Sequence, residues 1–301
     1  MIYIIITSYG EVSSTEKAIN SILEQKIKKP FKIIVSDPFD ETKWMIEEKF
    51  KKKVEYFQDQ DKGKSYALNM LLKKFYSDTK NDILIFTDGD VYLGKNSINV
   101  ILKKFEDEKI GCVCGKPTTL NSRNNIFGYW SHGFFDEMNK TRKEHAKNKE
   151  FFEVSGYLFA IRNGIIKEFP MATSEDNIIP ILIWQKGYKI DYAEDAEVYV
   201  LNPSNFKEWV MQKKRNIKGH IALKKNVNFS TKRVTIFGET IRGIKLLFNH
   251  PRNIKEFFWF VAMAFGRLYA WILAIYEVKI KKKQYKDGWR EEENLTTTRL
   301  D

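Results

Sequence analysis

Short apolar runs alternate with stretches of helical periodicity through the first 115 residues, and no other feature restricts the fold as much. Nearly continuous apolar strands that alternate with helices form a mostly parallel sheet with helices on both faces. The sequence therefore predicts an α/β fold in which ligands gather at the carboxyl ends of the strands. The predicted strands are Ile2–Thr7, Phe31–Ser36, Val54–Phe57, Ile83–Thr87 and Ile110–Cys114. The predicted helices cover about 15–26, 41–50, 64–76 and 96–107.

The pattern is less regular after about residue 115. We expect loop and helix through 124–150, a strand in "FEVSGYLFAIRNG", a helix in "SEDNIIPILIWQKG" and a strand in "YKIDYAEDAEVYVLNP". From these changes we predict four segments along the chain. They are an α/β domain over 1–204, a basic helix over 205–228, amphipathic and hydrophobic helices over 229–290, and a loose polar tail over 291–301.

The net charge of +12 is confined to the last third of the chain. Residues 201–301 hold 21 Lys and Arg against 9 Asp and Glu, whereas the charges of residues 1–200 balance. An excess of this kind favours nucleic acid, an anionic membrane surface or phosphorylated substrates as a partner. A solvated lysine-rich surface gives the same composition, so charge alone leaves these alternatives open.

The cysteines and the amino terminus indicate a reduced cytoplasmic setting. Cys112 and Cys114 are the only cysteines and lie two apart on a predicted strand, so they face opposite sides and form no disulfide framework. The four histidines are scattered without zinc-site spacing. The run in "MIYIIITSYGEV" is too short for a signal peptide and lacks a preceding basic region, so we interpret it as a buried first strand.

The predicted strand in "NDILIFTDGDVYL" ends in two carboxylates on either side of a glycine. Asp and Gly both favour turns, so Asp88-Gly89-Asp90 suits a simple turn. Carboxylate oxygens at a strand end also suit Mg²⁺ or Mn²⁺, which bind through one or two carboxylates together with substrate phosphates. An EF-hand is excluded because the sixth position is Leu93 where that loop needs glycine.

A lysine-rich turn opens the predicted helix in "DKGKSYALN". A P-loop needs glycine five residues before the Gly-Lys-Ser, and that position is Gln58. The helix amino terminus together with Lys62 or Lys64 could still meet phosphates, or the lysines could be surface residues. The sequence contains no G-x-G-x-x-G motif, so a dinucleotide site has no support.

Two helical stretches carry further charged candidates. Glu175 and Asp176 begin a predicted helix, where carboxylates are favoured by the helix dipole and where one of them could also act as a base. Gln212 and Arg215 are three residues apart and share a helix face. An arginine there could neutralise phosphate charge, or the face could be merely solvated.

Seven stretches in order give the chain a family resemblance. The stretches are "TSYGE", "IIVSDPFDE", "KGKSYALN", "FTDGD", "VSGYLFAIR", "SEDN" and "QKKRN". On these stretches, residues 1 to about 220 resemble inverting family-2 glycosyltransferases of GT-A fold, especially the branch related to cellulose and hyaluronan synthases. The resemblance implies that 1–204 binds a nucleotide sugar and that 205–228 completes the active site.

The resemblance implies a donor-binding role for one group of residues. Tyr9 and Glu11 would line the pocket of the nucleotide base, and Asp37 would contact the edge of the base. Lys64 would lie near the base or the phosphates. The DxD carboxylates Asp88 and Asp90 would contact the ribose and a bound Mn²⁺ or Mg²⁺ ion.

The resemblance assigns the remaining candidates to catalysis and the acceptor. Asp176 would be the general base that removes the proton of the acceptor hydroxyl, with Glu175 and Gly156 in the acceptor region. Gln212 and Arg215 match the QxxRW element near the acceptor and the diphosphate. Asn216 stands where that element has tryptophan, which argues against a processive polymer synthase and for a single addition.

The function implied by the resemblance is transfer of one sugar, with inversion, from a UDP-sugar or GDP-mannose to a hydroxyl of a glycan or lipid-linked acceptor. The alternative in the same class is a polyprenyl-phosphate sugar synthase. A basic nucleic-acid-binding protein is disfavoured because that class interleaves aromatics with Lys and Arg, whereas the aromatics here cluster in an apolar block.

That apolar block, "FFWFVAMAFGRLYAWILAIY", is long enough for a membrane span but carries Arg267 at its centre. Basic residues flank it on both sides, which the positive-inside rule disfavours for a single span. A helix that lies in the membrane interface satisfies both features, and a helix packed on the protein is the third alternative. We expect 234–283, including a second amphipathic helix at 234–248, to contact the cytoplasmic face of a membrane peripherally.

Overall fold

The computed structural model describes residues 1–79, 81–171, 174–226, 229, 250–283 and 285. Within these residues one sheet contains eight strands, β1 Ile2–Thr7, β2 Phe31–Asp37, β3 Val54–Gln58, β4 Ile83–Asp88, β5 Val91–Leu93, β6 Ile110–Thr119, β7 Leu158–Arg162 and β8 Lys189–Val200. The helices are α1 Val12–Leu23, α2 Asp40–Lys49, α3 Lys64–Phe75, α4 Ser97–Lys104, α5 Ile126–Asn148, α6 Glu175–Gln185, α7 Phe206–Asn226 and α8 Ile254–Ile275. A 3₁₀ turn forms at Lys51–Lys53 and a π-helical turn at Tyr276–Ile280.

The sheet is mixed, with the strand order β3-β2-β1-β4-β7-β6-β8-β5. Strands β1 to β4 pair in parallel, and β6 pairs in parallel with β8. Strand β7 runs antiparallel to both β4 and β6, and β5 runs antiparallel to β8. The predicted α/β fold with a mostly parallel sheet flanked by helices is therefore confirmed, with β7 and β5 as the reversed strands.

Alternate residues of the central strands enter two cores on opposite faces of the sheet. Ile4 and Ile6 of β1 join the core that α1, α2 and α4 cover. Ile5 faces the other core, to which α3 and α6 contribute. Burial of each isoleucine side chain contributes about 1.5–3 kcal/mol, which explains why these strands are apolar on both faces.

The register of the parallel strands brings their carboxyl ends to one edge. Thr7 of β1 lies opposite Ser36 of β2 and opposite Asp88 of β4. Asp37 of β2 lies opposite Gln58 of β3. The polar stretches that follow these strands therefore meet, as the sequence predicted.

Most element bounds agree with the prediction to within three residues. The larger differences are at β7, which begins at Leu158 where the predicted stretch began at Phe152, at β6, which continues to Thr119 where the prediction ended at Cys114, and at β5, which was not predicted. Strand β5 is three residues long, and a run of that length carries no periodicity that sequence analysis can detect.

The helices α5, α7 and α8 form a third cluster with large aromatic residues. Trp130 of α5, Trp209 of α7 and both Phe260 and Trp271 of α8 are buried together. Helix α7 lies within the predicted 205–228 segment, and α8 contains most of the apolar block. The predicted amphipathic helix at 234–248 and the tail at 291–301 lie outside the described residues, and the predicted domain boundaries stay predictions.

Candidate active site

The turn at the end of β4 packs too tightly for any residue but glycine at its centre. A Cβ built on Gly89 would lie 2.8 Å from Thr15 Oγ1 and 2.9 Å from Ser8 Cβ. The Gly89 amide donates to the carbonyl of Thr7 at 2.8 Å, which ties the turn to β1. The tight packing of Gly89 therefore fixes the backbone positions of the two aspartates on either side of it. Asp88 is partly buried, and Asp90 is 6% exposed. Asp88-Gly89-Asp90 therefore forms a turn, as one interpretation of the sequence predicted, and a turn does not prevent its carboxylates from binding a cation.

Lys64, at the first position of α3, bridges two carboxylates from different elements. Its Nζ lies 2.6 Å from Asp88 Oδ1 at the end of β4 and 2.6 Å from Glu175 Oε1 at the start of α6. The Thr7 hydroxyl also donates to Asp88 Oδ1, at 3.1 Å. One ammonium group therefore joins three elements at the carboxyl edge of the sheet.

The pKa shifts show how strongly these groups are coupled. Burial alone would lower the pKa of Lys64, but the carboxylates of Asp88 and Glu175 outweigh it and the net shift is upward. Burial raises the pKa of Asp88, the Asp90 charge raises it further, and Lys64 opposes both. Burial would likewise raise the pKa of Glu175, but Lys64 and, more weakly, Arg215 lower it overall. Lys64 and Glu175 are therefore charged at neutral pH.

Asp176 is the carboxylate of this group that is poised to exchange a proton near neutrality. Burial and the adjacent Glu175 charge raise its pKa to about 6, against the opposing effects of Ser174 and Lys64. The Ser174 hydroxyl donates a short hydrogen bond to Asp176 Oδ1. A group with this pKa is mostly ionised at pH 7 and can still accept a proton readily.

Gly156 lies directly beside the two acidic residues that begin α6. A Cβ built on Gly156 would lie 3.4 Å from Glu175 Oε1 and 3.6 Å from Asp176 Oδ2. Both distances are ordinary van der Waals contacts, so alanine fits here but any longer side chain would cover the carboxylates. The absence of a side chain at this position leaves Asp176 accessible from that side.

Helix α7 presents its Gln212 and Arg215 face toward the start of α6. Gly219, on the same face one turn after Arg215, approaches the Ser174 side chain, with 3.9 Å between the constructed Cβ and Ser174 Cβ. Arg215 is exposed and its charge contributes to lowering the pKa of Glu175. Gln212 is half-buried. An accessible arginine therefore stands at the margin of the acidic group.

The structure places Asp37 in the interior, where its carboxylate holds the surrounding loops. The side chain is fully buried. Its Oδ2 accepts from the amide of Gly10 at 2.9 Å and from the Thr42 hydroxyl at 3.1 Å, and its Oδ1 accepts from the amide of Phe39 at 2.8 Å. Asp37 therefore joins the loops after β1 and β2 through its hydrogen bonds.

Those loops form a second region of the site, beside Tyr9. The Tyr9 ring packs edge-on against Phe39, with centroids 5.0 Å apart. Burial and a hydrogen bond with Asp61 raise the pKa of Tyr9. Glu11 lies nearby as the residue that precedes α1. A flat ring such as a nucleobase could stack in such a region.

Sequence analysis missed three residues of this second region. They are Phe39, Asp59 and Asp61, the last two in the stretch "QDQDKGKS" after β3. The Asp61 amide donates to Asp59 Oδ1 at 2.8 Å. Asp59 and Asp61 follow the end of β3, and that position is the sequence signal that could identify them as site residues.

Two of the predicted residues have the chemistry to hold a divalent cation. The Asp90 charge raises the pKa of Asp88, so the two carboxylates are close enough to repel each other, and a cation between them would relieve that repulsion. Within the described part of the chain no three His, Cys, Asp or Glu side chains cluster as metal ligands. The donor set fits an ion that takes its other ligands from phosphate oxygens and water, as Mg²⁺ does.

Replacement of Asp37 by alanine will destabilise the fold because three donors lose their buried acceptor. Leaving buried donors unsatisfied costs about 1–3 kcal/mol each, and partial access of water reduces the sum, so we expect a loss of about 3 kcal/mol in the free energy of unfolding. Urea denaturation measures this change. The control Glu47→Ala, at an exposed position of α2, should stay within about 0.5 kcal/mol of the parent. Equal effects of both substitutions would contradict the interpretation of Asp37.

Known proteins resemble this chain in sequence and in fold. A curated relative, the probable glycosyltransferase YdaM of Bacillus subtilis (strain 168), is 24% identical and the match covers 62% of this chain and 47% of YdaM. This chain therefore spans about half the length of that relative. The crystal structure of S. aureus TarS 1–349 in complex with UDP-GlcNAc aligns with a TM-score of 0.51 at 13% identity, covering 93% of this chain and 76% of TarS 1–349. A second TarS structure aligns with a TM-score of 0.51 at 15% identity, covering 93% of this chain and 45% of TarS.

The TarS structures confirm the GT-A-like fold that the sequence predicted. The family model of "Glycosyltransferase like family 2" matches residues 1–219, which contain the whole sheet, the Lys64 group and the Gln212 and Arg215 face of α7. The chain therefore belongs to glycosyltransferase-like family 2.

Proposed function

We propose that this protein is a glycosyltransferase that moves a single sugar from a nucleotide diphosphate sugar to an acceptor hydroxyl, with inversion at the anomeric carbon and with a bound divalent cation. The observation that carries the proposal is the position of Asp176. The partly buried carboxylate of Asp176, with a pKa of about 6, lies next to Glu175, and Lys64 links Glu175 to the DxD carboxylate Asp88. A base and a diphosphate-binding edge are thus within one connected group.

Cationic side chains of the site would hold the donor diphosphate. Lys64 lies at the amino terminus of α3, where backbone amides also favour phosphate, and Arg215 stands exposed on α7. Asp88 and Asp90 would hold the Mn²⁺ or Mg²⁺ ion. When bound, such an ion stabilises the negative charge of the leaving diphosphate. Tyr9 and Phe39 would contact the base, and Asp37 supports the loops that carry them.

Asp176 would act on the acceptor. Its carboxylate accepts the proton of the hydroxyl while that oxygen bonds to the anomeric carbon. The bond between the anomeric carbon and the diphosphate oxygen breaks, and its electron pair leaves with the diphosphate. Because attack and departure are in line, the configuration inverts. Gly156 leaves the acceptor room beside the base.

The base favours a hydroxyl acceptor over the phosphate of a polyprenyl carrier. A phosphate monoester loses its last proton with a pKa near 6, so at neutral pH its attacking oxygen is mostly ionised already and needs little help from a base. The negative charge of Asp176 would in addition repel the ionised phosphate. The polyprenyl-phosphate synthase therefore ranks second, and glycans or lipid-linked saccharides remain the proposed acceptors.

The donor class is tested by thermal unfolding of the purified protein with UDP-GlcNAc, UDP-glucose and GDP-mannose, each with and without MnCl₂. UDP-GlcNAc, which is bound in the TarS complex, is the first choice. At a concentration of about 100 times Kd a ligand stabilises by about 2.7 kcal/mol, which for a chain of this size raises Tm by about 4 °C. We expect that rise only with manganese, and we expect Asp90→Asn to remove it.

A folded sample that responds to no nucleotide sugar would contradict the proposed donor site. A rise of equal size without manganese, or in Asp90→Asn, would contradict the role of the cation alone. The exposed Asp195→Asn is the matched control and should behave as the parent.

Asp176→Asn will abolish transfer and spare donor binding. Loss of a general base lowers the rate about 10²- to 10⁴-fold, while the donor-induced rise in Tm should persist because Asp176 faces the acceptor. Release of UDP with a panel of saccharide acceptors measures the rate. The control is again Asp195→Asn. Transfer that survives in Asp176→Asn would contradict the assignment of the base.

The pH dependence of the reaction will report the Asp176 proton. The base must be ionised, so kcat/KM should fall as pH decreases through about 6. Glu175→Gln removes the negative charge that raises the pKa of Asp176, so the fall should move to lower pH. A pH–rate profile of the parent and the variant measures this shift. A profile that stays in place or moves upward would contradict the coupling of the two carboxylates.

A further inference from the structure

Helix α8 exposes an apolar stripe along its whole length. We define its outward face as Ile254, Phe258, Phe265, Leu268 and Ile272, which recur at helical spacing. The exposed fractions of Phe258 and Phe265 are 63% and 67%. Continuous exposed apolar surface of this extent marks an interaction site.

The opposite side of α8 is packed on the protein. Phe260, Ala270 and Trp271 are buried in the cluster with α5 and α7. Gly266 lies so close to Trp209 of α7 that a Cβ would approach its ring to 3.1 Å. The Trp130 indole N–H of α5 donates to the carbonyl of Trp259 at 2.7 Å. Helix α8 therefore lies lengthwise on the domain, on two neighbouring helices.

This packing disfavours a helix that crosses the bilayer. By length and composition Ile254–Ile280 could span a membrane, and 28% of its most apolar window is buried within the protein. A spanning orientation would carry α5 and α7, with their charged residues, into the hydrocarbon or would strip them from α8. Docking with the helix parallel to the membrane plane requires neither.

The charges around the outward face are of one sign. Residues 250–283 contain seven Lys and Arg and two acidic residues. Glu256 pairs with Arg123, with its Oε2 3.0 Å from Nη2. Glu277 pairs with Lys214 and Lys218 of α7, at 2.6 and 3.0 Å. Both carboxylates are thus held against the domain.

The basic residues at both ends of α8 remain at the surface. Arg252 and Lys255 are exposed at the start of the helix, and Lys281, Lys282 and Lys283 are exposed after the π-helical turn. An apolar face with a cationic border at both ends is complementary to anionic lipid headgroups over acyl chains. A second copy of the chain would place one cationic border against another, which disfavours a dimer through this face.

We infer that the outward face of α8 docks flat on an anionic bilayer, with its aromatic and aliphatic side chains below the headgroups and the terminal lysines on lipid phosphates. This inference goes beyond the proposed transfer reaction and stands without it. Helix α7 carries Arg215 on one face and contacts α8 through Trp209, so docking would hold the active site one helix away from the lipid surface.

The test is co-sedimentation of the whole chain with vesicles of phosphatidylcholine alone or mixed with phosphatidylglycerol. We expect binding to the mixed vesicles that weakens with salt. The double substitution Phe258→Ser and Phe265→Ser should weaken it by at least about tenfold, because two aromatic side chains no longer insert. The control is Trp44→Ser on α2, which removes an aromatic side chain of similar exposure, 60%, far along the chain from α8.

A matched pair of lysine triplets tests the charge. Replacement of Lys281, Lys282 and Lys283 by glutamine should weaken binding to the mixed vesicles, whereas the same change at the exposed triplet Lys51–Lys53 should not. Equal loss from both triplets, or equal binding to neutral vesicles, would overturn the specific docking face. Every variant should keep the donor-induced rise in Tm of the parent, which separates membrane binding from donor binding.

Two other outcomes would also overturn the inference. A dimer in solution that Phe258→Ser with Phe265→Ser dissociates, without vesicle binding, would assign the face to a second copy. Retention on vesicles after alkaline carbonate extraction would show that the helix spans the bilayer.

Discussion

The proposed active site depends on one largely buried ammonium group that bridges carboxylates from two elements. Lys64 holds Asp88 and Glu175 at 2.6 Å each, and these carboxylates belong to elements that are 24 and 111 residues away along the chain. Removal of one member from a buried ionic group typically costs 3–5 kcal/mol, because the others keep their desolvation cost without compensation. The β4 turn, the start of α3 and the start of α6 are therefore held in one arrangement before any donor binds.

The same group explains why two adjacent acids at the start of α6 differ. Glu175 faces the lysine, and its pKa is lowered. For Asp176, the next residue, burial and the negative charge of Glu175 outweigh the opposing effect of Lys64, so its pKa is raised to about 6. A pair of carboxylates whose environments shift their pKa values in opposite directions supplies one permanent charge and one proton acceptor. Glu175 is thus a positioning residue that also tunes its neighbour.

The sequence predicted the parallel half of the sheet well because burial on both faces requires long apolar runs, as in Ile2–Thr7. It also predicted each charged residue of the Lys64 group, since polar residues after such strands have few other reasons to be there. It did not predict which charges would meet, because ion pairs between residues 24 and 111 apart depend on strand order and register. Asp37 shows the same limit. Its burial and its hydrogen bonds to Gly10, Phe39 and Thr42 depend on the folded loops and cannot be deduced from the sequence, and its contact with a base stays a prediction.

The C-terminal helix shows what composition alone leaves open. Apolar residues occur on every side of α8, so its sequence favours an interfacial helix but leaves a span and a packed helix as alternatives. These alternatives differ in which side of α8 is packed on the protein. The close contact of Gly266 with Trp209 identifies the packed side. Glu277 forms ion pairs with Lys214 and Lys218 of α7, and Arg215 lies between these lysines in the chain. The position of α8 is therefore linked to that of α7, the helix that borders the acidic group. Docking of α8 would therefore fix the orientation of the acceptor side of the active site relative to the surface on which α8 rests.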